Sequence, residues 1–149
     1  MWFQRITAVL MVASVALVGG CKPQMQTAHG TLKLDGKPVA NCKVGFFPDA
    51  QKFDPDRHGF GFGVTDENGA FEIKHPQGDE GIWPGKYKVT FVAWVDKAGK
   101  PLPFTVKPSE VSGGVRNLFP SVYEEPSTTT EKVTVVSGEN NFDFDIKSK

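Results

Sequence analysis

The sequence predicts an all-β protein, a β-sandwich of about seven short strands, and three observations support this prediction. Apolar and polar residues alternate with a period of two in several segments after Ala28, where no window shows helical periodicity. Turn residues such as Asp-Gly and Pro-Gly pairs separate these segments. The composition of 16 glycines, 11 prolines and 12 phenylalanines also favours strands and turns over helices.

The first part of the predicted domain contains four strands, which cover residues 29–34, 42–47, 59–65 and 70–74. Asp35-Gly36 ends the first strand. The turn Asp66–Gly69 joins the third and fourth strands into a hairpin, since Asn-Gly suits positive φ angles. The alternation in the second strand puts Cys42 on the same face as Val44 and Phe46, so we expect this cysteine in the core.

The second part contains three strands, which cover residues 86–95, 131–136 and 141–146. Between them lies Asp96–Thr130, and a loop of about 35 residues is functional, loosely ordered or conceals another strand. Leu102–Val106 is the candidate for such a strand, which Pro103 would confine to a sheet edge. Because apolar residues recur in the segment, we expect it to lie across a sheet and to cover Val92 or Trp94.

Five segments of the predicted domain occur in an order and spacing found in a known family. They are Gly30–Val39, Val44–Pro48, Thr65–Phe71, Pro84–Val89 and Gly138–Ile146. In these five segments the chain resembles the carboxypeptidase regulatory-like domain. It resembles especially the small bacterial lipoproteins that are built from that module alone. The resemblance implies a seven-stranded Greek-key β-sandwich of the transthyretin-like type and a supporting, non-catalytic role.

The first 20 residues differ in character from the rest of the chain. Their one charge is Arg5, and the apolar run from Ile6 to Val18, about 13 residues, is shorter than the roughly 20 that a membrane-spanning helix needs. A short basic start, an apolar centre and small residues after it are typical of a secretory signal peptide. We therefore predict a signal peptide over residues 1–20.

The end of that segment, Val18-Gly19-Gly20-Cys21, resembles the lipobox of bacterial lipoproteins. The resemblance implies cleavage before Cys21, a diacylglyceryl group on its thiol and usually a third acyl chain on its amine. Such chains would anchor the protein to a membrane of the cell envelope, facing the periplasm or the exterior. Lys22 slightly favours the outer membrane, because in some envelopes an aspartate there retains a lipoprotein at the inner one. Residues 21–28 are predicted to be a short linker, and residues 29–149 the folded domain.

The composition excludes several classes of protein. The net charge is zero, from 17 basic and 17 acidic side chains, whereas a nucleic-acid-binding domain has a basic surplus. Two cysteines are too few for a disulfide framework or a four-cysteine zinc site. With Cys21 acylated and Cys42 in the core, we expect no disulfide, and nothing in the sequence indicates a cofactor.

The residue types that bind metals or catalyse reactions form no known constellation. The spacing of His29, His58 and His75 matches no metal motif, so each is predicted to be a solvated side chain. Residues 54–59 resemble the opening of a calcium loop, but position 12 of such a loop would be Thr65 instead of a bidentate Glu. A Gly-x-Ser-x-Gly nucleophile motif is also missing. We therefore predict no metal site and no enzymatic activity.

Two features indicate a candidate ligand surface. Gly59, Gly61 and Gly63 leave one side of a predicted strand as bare backbone, which another backbone or a flat ligand can approach. Aromatic side chains available for stacking on sugars are Trp83, Trp94 and Tyr123. The alternative interpretation is that the glycines accommodate packing and that the aromatic side chains belong to the core.

These observations lead to two hypotheses of different classes. The first is a membrane-anchored cell-envelope lipoprotein whose non-catalytic β-sandwich is a structural or protein-binding module. The second is a carbohydrate-binding module for envelope or extracellular polysaccharide. In both, acyl chains on Cys21 bind the membrane, and the further partner is an envelope protein or a polysaccharide, not a nucleic acid.

Overall fold

Ten β-strands and two 3-10 helices form the secondary structure of residues 24–52 and 58–149, the part of the chain that the computed structural model describes. The strands are β1 (Ala28–Leu34), β2 (Lys37–Pro38), β3 (Lys43–Pro48), β4 (Gly61–Val64), β5 (Ala70–Glu72), β6 (Gly85–Val92), β7 (Trp94–Asp96), β8 (Val115–Asn117), β9 (Lys132–Val135) and β10 (Asn140–Ile146). The 3-10 helices are Pro108–Glu110 and Ser121–Tyr123. The protein is all-β, as predicted, and each of the seven predicted segments overlaps a strand. Within this described part, no helix has the length and apolar character needed to cross a bilayer.

The strands form two four-stranded sheets and a two-stranded ribbon. In the first sheet β1 pairs in parallel with β10 along its whole length and antiparallel with β2 and β5. The second sheet has the antiparallel order β4-β3-β6-β9. The ribbon consists of β7 and β8.

One hydrophobic core joins the two four-stranded sheets. Phe91 of β6 meets Phe144 of β10 edge to face, with ring centroids 5.1 Å apart, and Phe46 of β3 contacts Phe142 of β10 at 5.6 Å. Both contacts connect the second sheet to the first, so the arrangement is sandwich-like. Cys42 is fully buried in this core, as the alternation predicted.

The predicted hairpin over residues 59–74 is reduced to one pair, in which Phe62 and Lys74 exchange two backbone hydrogen bonds at 3.1 and 3.0 Å. β4 pairs with β3 in the second sheet, whereas β5 pairs with β1 in the first. The Asp66 carboxylate accepts two backbone hydrogen bonds within the connecting turn, and Gly69 adopts a φ of 76°. The Leu32 N–H then donates to the Gly69 carbonyl at 2.8 Å, which attaches the end of the turn to β1. The turn therefore carries the chain from one sheet to the other.

The folded part begins earlier than the predicted boundary at His29. Gln26 exchanges two backbone hydrogen bonds with Ile82, at 2.7 and 2.9 Å. Ala28 is the first residue of β1, is fully buried, and accepts a hydrogen bond from the Ile73 N–H at 2.8 Å. The last three residues of the predicted linker over residues 21–28 consequently belong to the fold, because their backbone groups have partners there.

The segment 96–130 does conceal a strand, but not at the predicted position. The strand is β8, which pairs with β7, and residues 102–106 form none. The Asn117 side chain at the end of β8 bonds to backbone groups of Phe91 and Ala93, at the point where β6 ends and β7 begins. This is why the predicted strand over residues 86–95 is divided in two.

The same segment covers the core at a different place from the one predicted. Its buried residue Phe119 contacts Phe91, with ring centroids 5.5 Å apart. Phe91 faces inwards, whereas Val92 and Trp94, the expected contacts, lie on the other side of the alternating pattern. The segment therefore closes the core at Phe91, while its residue Glu124 lines a groove on the outer face together with Val92.

Candidate ligand-binding face

The glycine side of β4, predicted to be a candidate ligand surface, faces inwards and is closed by the protein itself. Gly59, Gly61 and Gly63 are all buried. A Cβ atom at Gly63 would lie 2.3 Å from the Glu72 carbonyl oxygen of β5, and one at Gly61 would lie 2.6 Å from the Ile73 side chain. The glycines allow β5 and the residue after it to pack directly on this side of the strand. This side of the strand is therefore closed to a ligand, although Gly61 also lines the groove described below.

The three predicted aromatic residues come from three separate elements. Trp83 is half-buried in the connection before β6, and its carbonyl accepts a hydrogen bond from the Tyr87 hydroxyl at 2.7 Å. Trp94 is half-buried on β7. Tyr123 lies in the second 3-10 helix with its ring centroid 6.1 Å from that of Phe91. Tyr123 therefore agrees with the alternative interpretation, in which these side chains belong to the core.

A groove lined by phenylalanine rings lies on the opposite, outer side of β4. Phe47 of β3 and Phe60 stack with ring centroids 6.1 Å apart and planes inclined by 9°. Phe60 is 48% exposed, and the Lys43 ammonium lies 4.7 Å from the ring centroid of the neighbouring Phe62. We call this site, about 210 Å³ in volume, the phenylalanine groove; it is lined by Lys43, Phe47, Phe60, Phe62, Thr90 and Glu124.

Polar groups are interspersed with these rings. Lys43 and Glu124 bring opposite charges to the groove, and Thr90 brings a hydroxyl. Gly45 lies between them, and a Cβ atom there would come within 2.7 Å of both the Phe47 ring and Thr90 Oγ1. Glycine at this position therefore allows the Phe47 ring and Thr90 to pack directly over the β3 backbone. Flat apolar rings beside hydrogen-bonding groups of both charges suit a flat, partly polar ligand.

A group of charged side chains lies on the same outer face of the second sheet. We call it the lysine cluster, and it consists of Lys86, Lys88, Lys132 and Asp49. Lys132 Nζ donates to an Asp49 carboxylate oxygen at 3.0 Å, and Lys88 Nζ lies 3.9 Å from the other oxygen. The hydrogen bond from Lys132, reinforced by the charges of Lys88 and Lys86, lowers the pKa of the Asp49 carboxyl. Asp49 is therefore ionised at neutral pH.

The sequence contained a signal for this face, but the prediction used it on the wrong side of the strand. The alternation in residues 59–65 already placed Phe60 and Phe62 opposite the three glycines. The alternation assigns the phenylalanines to one face of the strand and the glycines to the other, but it does not indicate which face is buried. Phe47 and the lysine cluster were missed because they join β4 only through strand pairing, as in the Phe46–Gly61 register of β3 and β4.

The nucleophilic and metal-binding side chains offer no reactive constellation in the described residues. Burial raises the pKa of the Cys42 thiol, and burial also raises the pKa of Tyr87 to about 12. Among residues 24–52 and 58–149, no group of three or more His, Cys, Asp or Glu side chains is placed to hold a metal ion. The predicted signal peptide, the lipid attachment at Cys21 and the calcium-like positions 54–57 lie outside the described residues.

Comparisons with known proteins identify no family for this chain. No family model and no curated protein matches the sequence. Three solved structures are similar in part: a 9R-lipoxygenase from Cyanothece PCC8801 (17% identity, TM-score 0.39), a provisionally assigned carbohydrate binding protein from Pseudomonas aeruginosa (18%, 0.39) and chlorocatechol 1,2-dioxygenase from Pseudomonas putida (14%, 0.38). The similarities cover 83%, 85% and 87% of this chain, which spans 16%, 90% and 62% of the respective proteins.

Proposed function

We propose that this chain is a lipid-anchored cell-envelope lipoprotein whose β-sandwich, of the seven-stranded Greek-key transthyretin-like type, is a non-catalytic ligand-binding module. The observation that supports binding is the phenylalanine groove, where the stacked rings of Phe47 and Phe60 lie on an outer sheet face. Covering apolar surface of this kind with a ligand is favourable by about 25 cal/mol per Å².

The membrane anchor in this proposal is supported by the sequence before the fold. Val18-Gly19-Gly20-Cys21 resembles a lipobox, and two or three acyl chains hold a protein durably at a membrane. The first backbone hydrogen bonds of the described fold involve Gln26, about five residues after Cys21, a span of at most roughly 18 Å. The module would therefore be held close to the membrane surface.

Carbohydrate is the ligand class that the groove favours over a protein. A sugar ring has an apolar face that stacks on aromatic rings and hydroxyl groups that need donors and acceptors. The groove offers both, because Lys43, Thr90 and Glu124 line it together with the phenylalanines. A structural or protein-binding module is the competing form of the proposal.

Binding to a glycan array, compared with crosslinking to envelope proteins, tests the ligand-binding module. We expect glycan binding, and we expect Phe60→Ala to weaken it at least tenfold, since the stacked pair with Phe47 is lost. Phe104→Ala is the matched control, because Phe104 is 44% exposed but lies in the segment 96–130, outside the groove. Unchanged binding by Phe60→Ala would contradict the proposed site. Crosslinking to a single envelope protein without glycan binding would instead favour the protein-binding form.

The anchor has a separate test. We expect the wild-type protein to partition with membranes and to carry the mass of two or three acyl chains, and the Cys21→Ser variant to lose both properties. A Cys21→Ser variant that still partitions with membranes would contradict the anchor. Cys42→Ala is the control thiol variant, because Cys42 is buried in the core and should not affect lipidation.

A further inference from the structure

The lysine cluster and the phenylalanine groove lie on one continuous surface, although they come from distant parts of the sequence. The register pairs Phe47 of β3 with Lys88 of β6, and Lys88 with Lys132 of β9. Paired residues on adjacent strands lie side by side about 4.8 Å apart and project to the same face of the sheet. Phe47 and Lys132 are therefore two strand spacings apart, roughly 10 Å, with Lys88 between them.

The cluster has an unbalanced charge. Three ammonium groups, those of Lys86, Lys88 and Lys132, surround the single carboxylate of Asp49, whereas the chain as a whole has a net charge of zero. Asp49 is already bonded to Lys132 at 3.0 Å, and the Lys88 ammonium lies farther away at 3.9 Å. Lys86 is exposed, and it lines a shallow groove together with Asp49, Lys132 and Thr134. The excess positive charge is thus available to an anionic group on a ligand.

We infer that the ligand is an anionic polysaccharide that crosses the outer face from the phenylalanine groove to the lysine cluster. One sugar ring stacks on the exposed Phe60 and its partner Phe47. A carboxylate on a neighbouring sugar, as in a uronic acid chain, binds Lys88 and Lys86. This inference rests on the carbohydrate form of the proposed function and adds the charge of the ligand. A single-stranded nucleic acid also combines flat rings with anions, but the net charge of zero disfavours it.

The test measures binding of three soluble polymers to the protein in a nonionic detergent by calorimetry. The polymers are polygalacturonate, a neutral glucan of similar length and an oligodeoxythymidylate. We expect polygalacturonate to bind at least tenfold more tightly than the neutral glucan, and its affinity to fall as salt is raised from about 50 to about 200 mM because its ion pairs are screened.

Amino-acid substitutions test whether the lysine cluster itself binds the polymer or whether any exposed lysine attracts it equally. Lys86→Gln and Lys88→Gln together should reduce polygalacturonate affinity at least tenfold and leave neutral glucan binding unchanged. Thr134→Glu is a second variant, which places a negative charge opposite Lys86 on the exposed face of β9 without removing a lysine. Lys107→Gln is the matched control, since Lys107 is exposed and pairs with Glu110 in the first 3-10 helix.

Each outcome has one meaning for the inference. Neutral glucan binding as tight as polygalacturonate binding would overturn the anionic ligand but leave the proposed carbohydrate function intact. Binding of neither polysaccharide would overturn both the inference and the carbohydrate form. Oligodeoxythymidylate binding as tight as polygalacturonate binding, or equal losses in Lys107→Gln and the cluster variants, would show general attraction by positive charge and would also overturn the inference.

Discussion

The Asn117 side chain holds the Phe91 carbonyl at the point where β6 leaves its sheet. Asn117 Nδ2 donates to the Phe91 carbonyl oxygen at 3.0 Å, and Asn117 Oδ1 accepts from the Ala93 N–H at 2.9 Å. One amide thus supplies both a donor and an acceptor to backbone groups between β6 and β7. This contact also positions Phe119, whose N–H lies 3.4 Å from the same Oδ1 and whose ring packs on Phe91.

We predict that Asn117→Ala destabilises the fold by about 1–3 kcal/mol, because partly buried backbone groups of Phe91 and Ala93 lose their partners. Urea unfolding measures the change. Asn141→Ala is the control, since the Asn141 side chain makes an exposed hydrogen bond to Asp143, and we expect a change of about 0.5 kcal/mol or less. Equal effects of the two variants would show that the Asn117 contact has no special role.

The closed glycine side of β4 predicts a graded response to added methyl groups. Gly63→Ala should strongly destabilise the protein, by about 1–3 kcal/mol or more, because the new Cβ would lie 2.3 Å from the backbone oxygen of Glu72. Gly59→Ala should cost less, since its Cβ would first meet the His75 imidazole at 3.1 Å, and that side chain can move. Thermal unfolding compares the two. A Gly63→Ala variant as stable as the wild type would refute the packing account.

The buried thiol of Cys42 should be unreactive in the folded protein. Burial raises its pKa and removes it from solvent, so little thiolate is present to react. In the Cys21→Ser variant Cys42 is the remaining cysteine of the two. We expect a thiol reagent at mildly alkaline pH to label it slowly in the native state and rapidly in denaturant. Labelling at the same rate in both states would contradict its place in the core.

The Asp143 carboxylate predicts a loss of stability in acid. It accepts hydrogen bonds from Thr31 Oγ1 at 2.8 Å and from the Thr31 N–H at 3.1 Å, and these bonds lower its pKa below the ordinary value of 3.8. Such a carboxyl stabilises the fold at pH values above its unfolded pKa, and this contribution disappears as the pH falls through the folded pKa. The pKa values of Asp49 and Asp145 are lowered as well, each chiefly by a lysine hydrogen bond. Stability should therefore fall below about pH 4.

The urea midpoint measured between about pH 6 and about pH 2.5 tests this expectation, because the range includes the ordinary carboxyl pKa. Asp143→Asn should make the midpoint lower at neutral pH and less dependent on pH than in the wild type. Glu67→Gln, a substitution at an exposed turn residue, is the control for the removed charge. A pH dependence identical in Asp143→Asn and wild-type protein would contradict the role of the Thr31 bonds.

Local patterns predicted the strands well and their partners poorly. The alternation correctly placed Tyr87, Val89 and Phe91 inside, because these residues lie on one face of a continuous strand. The turn after β4 was recognised from its residues, but the hairpin expected from it is reduced to the pair Phe62–Lys74, since β5 pairs with β1 through contacts distant in sequence. The division of β6 from β7 also depends on such a contact, with Asn117.

The sequence by itself determined that this protein is all-β, where most of its longer strands lie, and that Cys42 belongs to the core, because each follows from the order of residues along one strand. Only the tertiary structure decided which side of β4 faces inwards and which residues share the outer face. A period-two pattern has two equivalent sides, and the approach of β5 to within contact of Gly63 buries one of them. Strand pairing then brings Phe47, Lys88 and Lys132 side by side, although they are far apart in the chain.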